Sequence, residues 1–188
     1  MTNRYLVRLS NKNHIITSKI ESVRAVIEDT LIQDNVKAGN FRITNHAIEF
    51  DVFMDEDSDL IRKKLESSWE ILSVRRIKER GARGLGAAIE ETRNLFSEER
   101  FWECHEVLES VWLKSSGEEK RTLQTLILVC AALVHFQRNQ LEICLSMLQK
   151  YRSRLELDNR YQFGIDFKSL REEVDNILRT RNFVPFSL

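Results

Sequence analysis

The stretch that most constrains this chain is TLQTLILVCAALVHFQ, residues 122–137. Its apolar side chains fall at nearly every helical angle, interrupted by a few polar ones that include Gln124, Thr125 and His135. A helix of this kind has no face to give to water, so other helices must enclose it. The apolar run, from about Leu126 to Phe136, is too short to span a bilayer and suits a buried central helix. Its surroundings agree. From Leu85 onward the periodicity is helical, with helices expected near 85–96, 98–114, 118–138, 140–155 and 166–180. The connectors are short, as an all-α bundle requires. Gly117 marks one turn, and Asp166 is the expected N-cap of the last helix. The tail FVPFSL carries enough apolar residues to dock.

The first 80 residues have another rhythm. RYLVRL reads as a strand. SKIESVRAVIEDTLIQ places Ile20, Val23, Val26, Ile27 and Leu31 at helical spacing, with Ser18 as expected N-cap. NFRIT and AIEFDVF alternate around a turn at Asn45 and His46. DSDLIRKKLESS reads as a second helix and WEILSVRRIKE as a last strand. The order β-α-β-β-α-β predicts an α+β domain of ferredoxin-like type over residues 1–80. The stretch ERGARGLG holds three of the six glycines, so a linker is placed at 81–86 and the helical domain at 87–188.

Ferredoxin-like sheets often bind RNA. Here Ile48, Phe50 and Val52 point one way and Glu49, Asp51 and Phe53 the other. With the first set against the helices, the open face carries two acids, which repel phosphate, and lacks a stacking aromatic pair. The 29 acidic and 29 basic residues cancel, so no global field draws nucleic acid or an anionic membrane. Neither is expected as a partner; a small molecule and a homodimer stay open. The N-terminus lacks the apolar stretch of a signal peptide. Cys104, Cys130 and Cys144 form no CxxC pair, which argues for reduced thiols in a cytoplasmic protein.

The densest chemistry lies in FWECHEVLESVW, residues 101–112. At 100° per residue, Phe101, Cys104, Leu108 and Val111 form a core stripe, with Glu103 and Glu106 turned to solvent. His105 and Glu109 sit one turn apart on the flank, between Trp102 and Trp112. A carboxylate one turn from an imidazole fixes its tautomer and raises its basicity. The zincin motif would need a histidine at position 109, and two ligands do not make a site, so no metal is assigned and the cofactor is unknown. On the central helix, Gln124, Leu128, Ala131 and His135 share a stripe. Antiparallel packing about Gly117 places Gln124 near Glu109. His135 falls about six residues, roughly 9 Å, along the axis from His105. A His105–Glu109–Gln124 cluster is therefore expected. Cys104 lies on the core stripe, where a thiol is inert.

Two of these stretches also carry a resemblance. NLFSEERFWECHEVLESVW is similar to the first motif of the domain of unknown function family 309, LFN-x-G-x-FWE-x-HE-x-LE-x-x-W. LQTLILVCAALVHFQRN is similar to its second, LQGLIQLAAALYH-x-x-R-G-N, and YQFGIDFKSL to a weaker third containing G-I/V-D. The resemblance covers most of residues 90–180. It implies a small helical protein, no assigned activity, and polar positions at His105, Glu106, Glu109, Trp112, Gln124 and His135. Departures are Glu99, Thr125, Leu128, and Asn139-Gln140 in place of the pattern's Gly-Asn; Asn tolerates the left-handed backbone that the glycine would supply. NQLEICLSMLQKYRSRL is similar to a tetratricopeptide-like second helix, but one hairpin is too few for a solenoid.

The leading expectation is a polar pocket that binds or hydrolyses a small molecule. His105 is its base or hydrogen-bond donor and Glu109 the orienter. Gln124 is the positioning amide, Trp102 and Trp112 the walls, and Glu106 and His135 further ligand contacts. The rival is a non-catalytic interaction or dimerisation module whose network is structural.

Overall fold

The computed structural model describes residues 3–32, 36–55, 57–77, 84–157 and 161–188. The protein is an α+β mixture of two compact units, one centred on an N-terminal sheet and one on helices. Among the described residues no helix is long and apolar enough to cross a membrane.

In the first unit the strands are β1 (Asn3–Ser10), β2 (Lys37–Ile43), β3 (Ala47–Met54) and β4 (Ile71–Arg76). Two helices join them, α1 (Ile20–Leu31) and α2 (Ser58–Leu65). The element order is the one expected. The sheet runs β2-β3-β1-β4, and every neighbouring pair is antiparallel. Ile48, Phe50 and Val52 pack with Tyr5, Val7 and Leu9 against Ile20, Val23 and Ile27 of α1 and Ile61 and Leu65 of α2. One sheet face therefore carries the core.

Two local expectations fail here. Ser18 caps nothing, because Thr17–Lys19 form a 3-10 turn that carries the chain into α1, and no side chain caps that helix. Val26 is exposed; it lies 100° round the helix from Ile27, outside the Ile20–Val23–Ile27–Leu31 stripe.

The opposite sheet face corrects the picture of two repelling acids. Glu49 and Asp51 are buried and paired. Glu49 stands between Arg8 on β1 and Arg42 on β2, each its direct cross-strand neighbour, with N···O distances of 2.9 and 3.4 Å. Asp51 takes Arg4 at 2.8 Å and the Asn40 amide at 2.7 Å. Asn40 reaches it because a bulge between Gly39 and Arg42 puts its backbone at φ 53°. The acids neutralise arginines rather than face a solvent phosphate.

The second unit holds α3 (Leu85–Ser97), α4 (Phe101–Trp112), α5 (Gly117–Gln137), α6 (Leu141–Leu157) and α7 (Phe167–Thr180). All five expected helices are present, and α4 starts three residues later than the spacing suggested. Of the expected 81–86 linker, residues 81–83 lie outside the described residues, while Leu85 and Gly86 already form the first turn of α3. Leu126, Val129, Cys130 and Leu133 of α5 are buried among α4, α6 and α7 side chains. Gly117 and Asn139 take left-handed backbone at the two ends of α5. Asp166 caps α7 by accepting from the backbone N–H of Lys168 and Ser169. The tail docks as expected. Phe183 meets Phe101 edge-on at 5.5 Å, and Phe186 lies 5.1 Å from Phe96.

Before α7 the chain makes a small hairpin, β5 (Tyr161–Gln162) and β6 (Ile165–Asp166). Its two central residues, Phe163 and Gly164, have φ 55° and 75°. Two left-handed residues are what a two-residue hairpin turn needs. Gly164→Ala is expected to cost about 1–2 kcal/mol, the left-handed penalty of an L side chain. The new Cβ would also lie 3.2 Å from the Arg93 guanidinium, which can move aside. A matching fall in the urea midpoint checks it.

Candidate functional site

The site is built from the start of α4 upward. Glu99, in the turn from α3, has φ 57°. It occupies the position at which the family pattern carries glycine, so the left-handed backbone is kept without the residue that adopts it most readily. Arg100 then bonds Glu98 at 3.0 Å and Glu103 at 2.7 Å. This corrects the solvent assignment of Glu103, which is buried under its arginine. Its helical angle alone did not reveal a partner three residues back.

Phe101, Cys104, Leu108 and Val111 are buried as the core stripe, with Val107 beside them. Cys104 donates toward the Thr92 carbonyl at 3.5 Å. Burial, then the neighbouring Cys130, pushes its thiol far above the ordinary range. Burial also raises Cys144, to about 12. A thiol in this state is no nucleophile.

The flank gathers His105, Glu106 and Glu109. Nδ1 of His105 lies 4.0 Å from a Glu106 oxygen and 4.0 Å from a Glu109 oxygen. Both distances are too long for a hydrogen bond. Nδ1 is nevertheless buried and has no hydrogen-bond partner among the described residues. The side chains grade outward, with His105 23% exposed, Glu106 40% and Glu109 48%. Trp102 stacks on His105, ring centres 5.7 Å apart and planes within 4°, which fixes the imidazole plane. Glu106 thus belongs to the flank, as the family pattern implied and the helical angle did not. Residues i, i+1 and i+4 meet here because the Glu106 side chain is long enough to swing back over one residue.

The other expected members stand elsewhere. Among the described residues no hydrogen bond joins half-buried Gln124 to His105 or Glu109. The residue-by-residue register across the Gly117 turn does not deliver its amide to the pair. Nδ1 of His135 is taken by the Gln140 side-chain oxygen at 2.6 Å, just past the Asn139 turn. Trp112 lies under Lys120, whose ammonium is 4.5 Å above its ring. Its indole N–H is buried without an acceptor among the described residues. Among those residues the contacts of the site therefore come from a single helix, with Trp102 as its one observed wall.

Chemically, an imidazole between two carboxylates can relay a proton, orient a polar ligand or offer ligands to a cation. Comparison with known proteins adds no reaction. No curated protein matches the chain. A solved structure titled as a conserved hypothetical protein, from Thermus thermophilus, is 40% identical. The match covers 48% of this chain and 94% of that one, with a TM-score of 0.43. The family model described as Domain of unknown function (DUF309) matches residues 89–147, which span the whole of α4 and α5. Through that segment, the one that carries His105, Glu106 and Glu109, the chain belongs to the DUF309 family.

Proposed function

We propose that the helical unit is a small-ligand binding module whose site is the α4 flank of His105, Glu106 and Glu109. One observation carries this reading: Nδ1 of His105 is buried and unpaired between two carboxylates that stop 4.0 Å short of it. A buried nitrogen without a partner costs about 1–3 kcal/mol, and a ligand atom seated between the three groups would remove that cost. In this role His105 is hydrogen-bond partner or base. Glu106 and Glu109 orient it, and Trp102 holds its ring. The chemistry open to the set is proton transfer or hydrolysis on a small molecule. Trp112, Gln124 and His135 would contribute to a larger ligand only after rearrangement.

The same proposal extends to the rest of the chain. The β2-β3-β1-β4 antiparallel order, with both helices on one face, supports a ferredoxin-like N-terminal domain. The boundary is placed at residues 81–86. Three unpaired buried cysteines support a reducing, cytoplasmic setting, with a small molecule rather than nucleic acid as partner.

The test is His105→Ala, followed by amide NMR during a screen of polar small molecules. The wild type is expected to show shifts clustered at residues 102–112 that vanish in the variant. Stability should change by less than about 1 kcal/mol, as for a partly exposed residue outside the core. A larger stability loss, with no small molecule perturbing the wild-type helix, would establish the structural-module reading instead.

A further inference from the structure

We infer that the ligand this flank takes first is a divalent transition-metal ion, held by Nδ1 of His105 and one carboxylate oxygen each from Glu106 and Glu109. The inference rests on the assignment of the flank as a ligand site and adds the chemical class of what it holds. The sequence left the metal unassigned because two ligands do not make a site; in the fold Glu106 is the third.

Geometry comes first. The three ligand atoms lie within 4.8 Å of one another, with Nδ1 4.0 Å from each carboxylate. A tetrahedral ion with bonds of about 2.1 Å spaces its ligands about 3.4 Å apart. Closing that difference takes a small rotation of each carboxylate. Glu106 and Glu109, both substantially exposed, are free to make it. The imidazole need not move, because Trp102 already clamps its plane. Its buried Nδ1 lacks the hydrogen bond that would otherwise compete with a metal. His135 has no such vacancy, being bonded to Gln140.

Charge and softness then choose the ion. Two carboxylates neutralise a dication. One imidazole nitrogen favours zinc, cobalt or manganese over magnesium and calcium, which prefer oxygen alone. Three protein ligands leave a coordination position for water or a ligand group, the pattern of a reactive rather than a purely structural site.

The experiment is calorimetric titration of the chelator-treated full chain with Zn2+ alone, repeated with Mg2+, for the wild type, His105→Ala, Glu106→Gln and Glu109→Gln. One Zn2+ per chain is expected, with Mg2+ far weaker. Each substitution should weaken Zn2+ by more than the ~10–100-fold that losing a mere supporting partner costs. The half-exposed Glu109→Gln variant keeps the test valid should His105→Ala fold poorly. Binding left intact in all three variants would place the ion elsewhere and overturn the inference. So would a wild type that takes up no Zn2+; in that case the small-molecule reading still stands or falls separately, on its own NMR screen.

Discussion

Glu49→Ala is expected to destabilise the N-terminal unit by about 3–5 kcal/mol, the range for removing one partner of a buried ion pair. Glu49 is 2% exposed and accepts from Arg8 and Arg42, of which Arg42 is equally buried. Deleting the carboxylate leaves two guanidinium groups side by side across three strands, short of an acceptor and repelling each other. Arg42→Met removes a cation instead. It leaves Glu49 with Arg8 and Asp51 with Arg4, so it should cost clearly less. Hydrogen exchange of β1 and β3 amides reads this unit by itself. Equal losses in the two variants, or a Glu49→Ala loss below about 1 kcal/mol, would show that the network is neutral to stability, as some buried ion networks are.

Phe101→Ala should cost the helical unit a similar amount, about 3–5 kcal/mol, for another reason. Phe101 is 1% exposed and stands edge-on to Phe96 at 4.9 Å and to Phe183 at 5.5 Å. Removing the ring opens a cavity where the α3–α4 turn, α4 and the tail meet. Three rigid neighbours cannot all collapse into it. Phe183→Ala, at the rim of the same group, is expected to cost less. Urea unfolding compares the two, and a Phe101→Ala loss no larger than that of Phe183→Ala would count against Phe101 as the hub.

Both effects involve parts of the fold that the sequence disclosed unequally. The five helices were legible because α5 is apolar all round and because Gly117, Asn139 and Asp166 punctuate the pattern by local chemistry. The strand order β-α-β-β-α-β was legible from a change of period. Ser18 misled because a 3-10 turn is too short to leave a periodic signature. Glu49 and Asp51 were placed on the correct face, but their arginines come from other strands, and pairing across a sheet is invisible in a linear pattern.

The site divided the same way. His105 and Glu109 were readable from one-turn spacing. Glu106 was missed by helical angle, because a long side chain can lean a full residue away from its own direction, and only the family pattern hinted at it. Gln124 failed because the register between two helices depends on how their surfaces interlock. His135 found a partner five residues on, where the left-handed Asn139 turns the chain back on itself.

The docked tail has a bearing on the order of events during synthesis. Phe183 and Phe186 cover Phe101 and Phe96, whereas the sheet of the first unit is complete once β4 has been made. Emerging from the ribosome, the N-terminal unit can close while the helices are still being translated, as N-terminal domains generally do. The helical unit carries an uncovered aromatic patch until residues 183–188 appear. That interval, rather than any property of the finished fold, is when this chain most needs a chaperone.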